Sequence, residues 1–405
     1  MKIICMLLAV WLAFAPALAK EIDLYSPTPE AAPTPAPPIS AGALLDAPPM
    51  DVNCAAVLLM EPESGQVIFE MNAETERPAA SVTKIMTILL TLEAIESCRI
   101  TLDQPVTISA NASGMGGSQV LLDTGEVQSV EILLKSCIVG SANDACVALA
   151  ELMYGSEALC VEKMNARAAE LGMAHTRFVN CTGLPAEGQH TTARDIAVMT
   201  AAMLRHDLYF KYAAIWLDEI DHGDGRKTQL TNTNKLTRRY DGCDGGKTGS
   251  TAEAGCCISA TARRGGMRLI AVVLGAGSGS DRFDIAAAML DYGFANCRLY
   301  PVAARGTKVR GRLPVNGGRP EAISLELNGD LTLLLMKGEE SNVRLVPDLP
   351  EALNAPVRAG EEIGFVRVEY GGRALAKLPV IASESAEPTG LSAGLRRIWQ
   401  NWFVA

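Results

Sequence analysis

Apolar residues change their spacing several times along the chain, and each change predicts a different element. Two short apolar runs, at 55–60 and 66–70, flank Glu63-Ser64-Gly65, which predicts a β-hairpin. The runs at 255–262 and 267–274 predict a second hairpin. Apolar residues at helical spacing predict six helices, at 81–98, 130–139, 144–154, 164–171, 193–204 and 281–294. Strands at both ends with helices between them predict an α/β (α+β) domain with an antiparallel sheet and a helical part.

Beyond about residue 297 the pattern changes to strict alternation. Ile323, Leu325 and Leu327 alternate with polar residues and lead into the turn signal Asn328-Gly329. A similar alternation runs through 366–370. We therefore predict two domains, a large catalytic domain over 51–296 and a small all-β domain over 297–381. The small domain carries no set of Ser, Lys or His residues at catalytic spacing.

The N-terminus reads as an export signal followed by a spacer. Lys2, an apolar run over 3–14 and the small-residue site Ala17-Leu18-Ala19 predict a signal peptide over 1–19. The apolar run is short for a membrane span, although a buried helix is an alternative. Residues 20–50 are rich in proline, which predicts an extended linker.

The C-terminus reads as a linker over 382–390 followed by an amphipathic helix over 391–405. Its polar face carries Arg396 and Arg397, which suits an anionic membrane surface. Docking of the helix on the protein itself is the alternative. The apolar face consists of Leu391, Leu395, Ile398, Trp399, Trp402 and Phe403.

Composition narrows the possible functions. With 405 residues, 48% of them hydrophobic and 20% charged, the chain is long enough for two folded domains. A net charge of −10 argues against a nucleic-acid partner. Eleven cysteines are present, and only Cys5 falls in the predicted signal peptide. The others permit disulfides, but their apolar surroundings favour mostly free, buried thiols. Cysteine spacing and only four histidines give no metal-binding pattern.

Ser81 and Lys84 open the first predicted long helix. Positions i and i+3 of a helix lie on one face, so the lysine can reach the serine hydroxyl. Apolar neighbours would desolvate the ammonium, lower its pKa and allow a neutral amine to act as a base. A serine at a helix start beside a surface lysine is the alternative.

Two further polar segments lie where other elements meet. Ser141-Ala142-Asn143 falls between two apolar helices and could serve a substrate, or could cap the second helix. Lys247-Thr248-Gly249, followed by Ser250, lies at a predicted sheet edge and could bind a carboxylate, or could be an ordinary turn.

In this order, Ser-x-x-Lys, Ser-x-Asn and Lys-Thr-Gly form the signature of penicillin-binding proteins and serine β-lactamases. The chain resembles the low-molecular-mass penicillin-binding proteins, the serine-type D-alanyl-D-alanine carboxypeptidases, from the export signal to the C-terminal anchor. Segments that carry this resemblance besides 141–143 are 80–87, 178–184, 190–195 and 242–249.

The resemblance implies acyl transfer from a peptidoglycan stem peptide ending in D-Ala-D-Ala, without a metal or organic cofactor. Ser81 would be the nucleophile and Lys84 its general base. Ser141 would relay a proton and Asn143 would orient the substrate. The substrate-binding residues would be Lys247, Thr248, Gly249 and Ser250, with backbone N–H groups of Ser81 and Ser250 forming the oxyanion hole. Lys247 would also keep Lys84 neutral by charge repulsion.

The resemblance further implies that β-lactams inhibit covalently and that the protein works at the outer face of the cytoplasmic membrane, in the cell wall. A class A β-lactamase fits less well, because Ala142 replaces the usual Asp and no Glu-x-x-Leu-Asn segment lies between Asn143 and Lys247. A DD-endopeptidase or transpeptidase remains an alternative, since the same site serves either reaction. A wall-binding module without activity is less consistent with a complete motif set.

Overall fold

The structure, a computed structural model, describes residues 43–390. The predicted signal peptide (1–19), the predicted linker as far as residue 42 and the predicted anchor (391–405) lie outside these residues. Within 43–390, no helix is both long enough and apolar enough to cross a membrane.

The first part of the described chain is built around a five-stranded antiparallel sheet in the order β2-β1-β9-β8-β7. Both predicted hairpins are confirmed, as β1–β2 and β8–β9. Two small antiparallel strand pairs, β3–β4 and β5–β6, were not predicted. The strands are β1 Ala56–Met60, β2 Val67–Met71, β3 Pro105–Thr107, β4 Val127–Ser129, β5 Leu217–Asp221, β6 Lys227–Thr231, β7 Cys243–Thr251, β8 Gly255–Arg264 and β9 Met267–Ala276.

Helices cover both faces of this sheet. Alternate residues of a strand point to opposite faces, so Leu58 of β1 packs in one apolar core and Leu59 in the other. The helices are α1 Lys84–Glu96, α2 Ala110–Ser113, α3 Val130–Lys135, α4 Asn143–Tyr154, α5 Glu157–Glu170, α6 Ala193–Met203, α7 Asp207–Ala213, α8 Leu236–Arg239 and α9 Asp281–Asn296. The core around Leu59 is closed by α9, and the other core contains α1, α4 and α6.

Two predicted helices are not α-helical throughout: one begins with a tighter 3₁₀ turn and the other ends with a wider π-helical turn. The helix predicted over 81–98 starts as a 3₁₀ turn, Ala80–Thr83, before α1. The helix predicted over 130–139 leaves the α form after Lys135 and continues as a π-helical turn, Ser136–Gly140. Both irregular turns lie next to residues predicted to carry chemistry.

The second part of the chain is the all-β region. A six-stranded sheet has the order β15-β17-β18-β13-β11-β16, and β10 pairs with β14. Along β14, Leu334 belongs to the core beside α9, whereas Leu333 and Leu335 belong to the core of the β region. The strands are β10 Cys297–Ala303, β11 Lys308–Asn316, β12 Gly318–Arg319, β13 Ala322–Leu327, β14 Leu331–Met336, β15 Val343–Asp348, β16 Leu353–Asn354, β17 Glu362–Tyr370, β18 Arg373–Ala382 and β19 Glu387–Pro388.

Parts of both predicted linkers are packed against folded structure, which corrects their extent. Leu44 and Leu45 donate backbone N–H bonds to the carbonyls of Val67 and Ile68, and their side chains pack on the core. Within 382–390, strand β19 pairs with β12, and Ala386 is fully buried. Both segments contain apolar residues among their prolines and polar residues. These apolar side chains pack on the folded part, which a prediction from overall composition does not detect.

Candidate active site

Ser81 and Lys84 are in direct contact. The Nζ atom of Lys84 lies 2.9 Å from the Oγ atom of Ser81 and 2.7 Å from the carbonyl oxygen of Thr182. Lys84 is fully buried, whereas Ser81 is partly exposed. A partly exposed hydroxyl is thus paired with an amine shielded from water.

Two glycines allow neighbouring segments to close around this turn. A Cβ atom at Gly183 would lie 1.9 Å from the carbonyl oxygen of Ala80, and one at Gly249 would lie 2.9 Å from the backbone nitrogen of Ser81. Ala80 itself has a φ of 49°, which is a strained value for a residue with a Cβ. Ser81, the predicted nucleophile, therefore lies on a strained turn held between strand β7 and the 181–184 segment.

Burial is the main reason that the pKa of Lys84 is lowered. The thiols of Cys146, Cys137 and Cys181 lie close by and act in the opposite direction. Desolvation by apolar neighbours was one of the two predicted causes of a neutral Lys84, and it agrees with the structure. The predicted repulsion by Lys247 is not among the main causes of the shift at Lys84, whereas a charge on Lys84 adds to the burial that lowers the pKa of Lys247 well below its usual value.

Ser141 contacts the third motif directly. The Nζ atom of Lys247 donates to the Oγ atom of Ser141 at 2.7 Å and to the carbonyl of Thr248 at 3.0 Å. Ser141 has the left-handed values φ 62° and ψ 29° at the end of the π-helical turn. Ala142, not Ser141 or Asn143, is the N-cap residue of α4, and it makes no side-chain capping bond. The capping alternative is therefore wrong for both polar residues.

Asn143 is the first residue of α4 and is almost fully buried. Its Nδ2 donates to the carbonyl of Gly116 at 2.6 Å, and its backbone N–H donates to the carbonyl of Ser118 at 2.7 Å. Its Oδ1 atom is buried and has no hydrogen-bond partner within 43–390. An unsatisfied buried acceptor of this kind is rare in native structures and points to a functional role for this side chain.

Lys247, Thr248, Gly249 and Ser250 all lie on β7, at the edge of the described sheet. The hydroxyl of Thr248 donates to that of Thr233 at 2.8 Å, which fixes its orientation. Strand β7 pairs with β8 on one side, and the 3₁₀ turn carrying Ser81 packs against it. The Ser81 turn and Ser141 therefore both contact this short stretch of sheet edge, and Asn143 follows Ser141 by two residues.

Sequence reasoning missed Arg282, near the start of α9. Its Nη1 atom donates to the carbonyl of Gly249 at 2.9 Å and to the hydroxyl of Ser250 at 3.2 Å. Burial lowers its pKa, but a guanidinium remains charged at neutral pH. No short motif links Arg282 to β7, because the contact depends on how α9 returns across the sheet.

The ten cysteines from Cys54 to Cys297 are all unpaired in the structure, and most are buried. Three of them, Cys137, Cys146 and Cys181, surround the buried end of Lys84. In the part of the chain that the structure describes, no group of three or more His, Cys, Asp or Glu side chains could hold a metal ion.

Comparisons with known proteins agree with this geometry. The family model described as D-alanyl-D-alanine carboxypeptidase (peptidase family S11) matches residues 43–278, which is more than half of the chain. The model described as the C-terminal domain of penicillin-binding protein 5 matches residues 299–388.

Two curated relatives match over most of their length. The D-alanyl-D-alanine carboxypeptidase DacF of Bacillus subtilis is 36% identical over 86% of this chain and 89% of the relative. DacC of Escherichia coli is 34% identical over 88% of each chain. Among solved structures, penicillin-binding protein 5 of Haemophilus influenzae superposes with a TM-score of 0.76 at 28% identity, covering 84% of this chain and 99% of that one. These matches confirm the predicted fold class, a penicillin-binding transpeptidase-like domain followed by a β domain.

Proposed function

The chain belongs to the D-alanyl-D-alanine carboxypeptidase family, and we propose that Ser81 is the residue on which it forms its acyl-enzyme. The protein is a serine hydrolase that removes the terminal D-alanine from peptidoglycan stem peptides, and it is a target of β-lactams. The observation that carries the assignment of Ser81 is its contact with the buried Nζ of Lys84 at 2.9 Å.

Acylation begins with Lys84. Its lowered pKa favours the neutral amine, whose hydrogens can bond the carbonyl of Thr182 while its lone pair faces the hydroxyl of Ser81. Lys84 accepts the hydroxyl proton as Oγ attacks the carbonyl carbon between the two terminal D-alanines. The resulting oxyanion accepts hydrogen bonds from the backbone N–H groups of Ser81 and Ser250. The proximity of Gly249 to the nitrogen of Ser81 supports this pairing of strand and turn.

Departure of D-alanine requires a proton on its nitrogen as the C–N bond breaks. Ser141 is suited to deliver it, because its hydroxyl is held by Lys247 at 2.7 Å and is nearly buried. Lys247 and Thr248 bind the terminal carboxylate of the substrate, and Arg282 adds a second positive charge behind the same strand. Water then attacks the acyl-enzyme, Lys84 accepts its proton, and Ser81 is regenerated.

The assignment is tested by the release of D-alanine from diacetyl-L-Lys-D-Ala-D-Ala. We expect Ser81→Ala and Lys84→Ala to abolish release, and Ser141→Ala to reduce it by about a hundredfold to ten-thousandfold, the range for loss of one proton-transfer group. Thr237→Ala is a suitable control, because Thr237 lies in α8 and its hydroxyl bonds only to the carbonyl of Asn234 among the contacts described. Release by Ser81→Ala at the rate of the unmodified protein would refute the assignment.

We further propose that residues 1–19 direct export of the protein. The amphipathic segment 391–405 then holds it on the outer face of the cytoplasmic membrane. The apolar side of that segment carries Trp399 and Trp402, a residue type favoured at membrane interfaces. We expect a chain that ends at Gly390 to move from the membrane fraction to the soluble fraction. Trp399→Ala with Trp402→Ala should have the same effect, whereas Gln400→Ala with Asn401→Ala should not. Unchanged fractionation of the shortened chain would refute the anchor.

A further inference from the structure

Asp144 follows Asn143 in the first turn of α4, and nothing above gives it a role. It is 1% exposed, yet its carboxylate makes no ion pair in the described part of the chain. Its oxygens accept backbone N–H bonds from Val120 at 3.0 Å, from Leu122 at 3.2 Å and from the adjacent Ala145 at 2.9 Å. A buried charge satisfied by backbone alone fixes the conformation of that backbone.

The backbone in question is a loop that wraps around the carboxylate. Between the two bonded residues lies Leu121, whose φ is 63° and whose side chain is 61% exposed. A leucine rarely adopts this left-handed conformation, and exposure gives it no packing in return. Backbone N–H groups of neighbouring residues that converge on an anion form an arrangement called a nest, and the N–H groups of Val120 and Leu122 converge on Asp144 in this way. The carboxylate of Asp144 therefore explains the strained path of the loop.

The same loop holds Asn143 at its other end. The carbonyl of Gly116 accepts from Nδ2 of Asn143 at 2.6 Å, and the carbonyl of Ser118 accepts from its backbone nitrogen at 2.7 Å. Between them, Gly117 has a φ of 78°, and a Cβ there would lie 2.8 Å from Nδ2. Because a carbonyl can only accept, Gly116 obliges the amide to turn its NH₂ group toward the loop. The loop therefore fixes the orientation of the Asn143 side chain.

We propose that Asp144 is a positioning residue for acylation: through the loop 116–122 it sets the position of the Asn143 side chain for the bound peptide. This role rests on the proposed function of Asn143. The alternative is that Asp144 only stabilises the fold, as buried aspartates in a first helical turn often do through the same kind of bonds.

Asp144→Asn tests the proposal with almost no change in volume. One oxygen becomes an NH₂ group that faces backbone donors, so the loop is released. We expect the second-order rate of acylation by fluorescent penicillin and kcat/KM for diacetyl-L-Lys-D-Ala-D-Ala to fall together by about tenfold to a hundredfold, the cost of a misplaced substrate-binding group. Asp144→Ala, which removes the carboxylate without adding a competing donor, should show the same loss if the first variant folds poorly.

The decisive measurement is a double-mutant cycle with Asn143→Ala. If Asp144 acts through Asn143, adding Asp144→Asn to Asn143→Ala should change the acylation rate by less than about twofold. A full further loss in that background, or no loss in the single variant, would overturn the proposal. Failure of the unmodified protein to be acylated at all would instead refute the proposed function.

Asp195 provides a matched control. It is 3% exposed, lies in the first turn of α6, and its carboxylate accepts from the backbone of His175 at 3.0 Å and the hydroxyl of Thr176 at 2.7 Å. Burial raises the pKa of both aspartates. Asp195→Asn should lower the melting temperature, as Asp144→Asn does, but leave the acylation rate of the folded protein within about twofold. An equal loss of acylation in both variants would mean that Asp144 supports only the fold.

Discussion

Lys84 lies 2.9 Å from Ser81 across a junction between two kinds of helix. Ser81 belongs to a 3₁₀ turn, and Lys84 is the first residue of α1. Side chains three residues apart eclipse one another in a 3₁₀ turn, whereas they are offset in an α-helix. The tighter turn therefore brings amine and hydroxyl into line, and the buried α1 keeps the amine out of water.

The pH dependence of acylation should report the pKa of Lys84. The amine is a base only when unprotonated, and burial lowers its pKa from the usual 10.5. The rate of acylation by fluorescent penicillin should therefore rise with pH, then level off below pH 10.5. A rate that still rises tenfold per pH unit through pH 10 would show that Lys84 titrates like an exposed lysine.

Gly249→Ala should disable the site without changing any charge. The added Cβ would lie 2.6 Å from the carbonyl oxygen of Ala79 and 2.9 Å from the nitrogen of Ser81, so the nucleophile turn must move. We expect a fall in kcat/KM of about a hundredfold or more, since misplacement by about 1 Å has this cost. Gly329→Ala, whose Cβ would meet only Leu378 at 3.5 Å, should retain full activity. Similar activity of the two variants would contradict the account.

Lys247→Met should inactivate the enzyme and stabilise it at neutral pH. Burial holds the pKa of Lys247 well below 10.5 in the folded protein, so the unfolded chain binds more protons between the two values. Stability of the unmodified protein should therefore rise with pH over that window, while the variant lacks this term. We expect Lys247→Met to be more stable than the unmodified protein at pH 7, with the difference narrowing toward pH 10. Urea denaturation at both pH values measures it, and an advantage that widens with pH would contradict the sign.

Sequence patterns predicted the hairpins of the sheet and the main helices, because these depend on the local spacing of apolar residues. The three motifs were found from residue types and their order along the chain. The hairpins around Glu63-Ser64-Gly65 and residues 263–266 needed only alternation and a turn. The 3₁₀ start of α1 was not predictable from the sequence. Ala80 has a positive φ in a turn that is closely packed against Gly183 and strand β7, and both of these are distant in sequence.

Residues that support the site were harder to find than those that form it. Arg282 reaches β7 only in the folded protein, and the partner of Lys84 is a backbone carbonyl, at Thr182, which has no signature. Asp144 did carry a signal, as an acidic residue within an apolar helical run, but its partners lie in a loop without a motif. The apolar neighbours of Lys84 did predict its desolvation, but the sequence alone did not show that burial outweighs the repulsion expected from Lys247.

Mass spectrometry of the intact protein after brief exposure to penicillin, followed by peptide mapping, tests the assignment of the nucleophile most directly. We expect one penicilloyl group per chain, located on Ser81, and none on the Ser81→Ala variant. Release of D-alanine from diacetyl-L-Lys-D-Ala-D-Ala should stop in proportion to this labelling. An adduct on another residue, or D-alanine release that survives complete labelling of Ser81, would contradict the account.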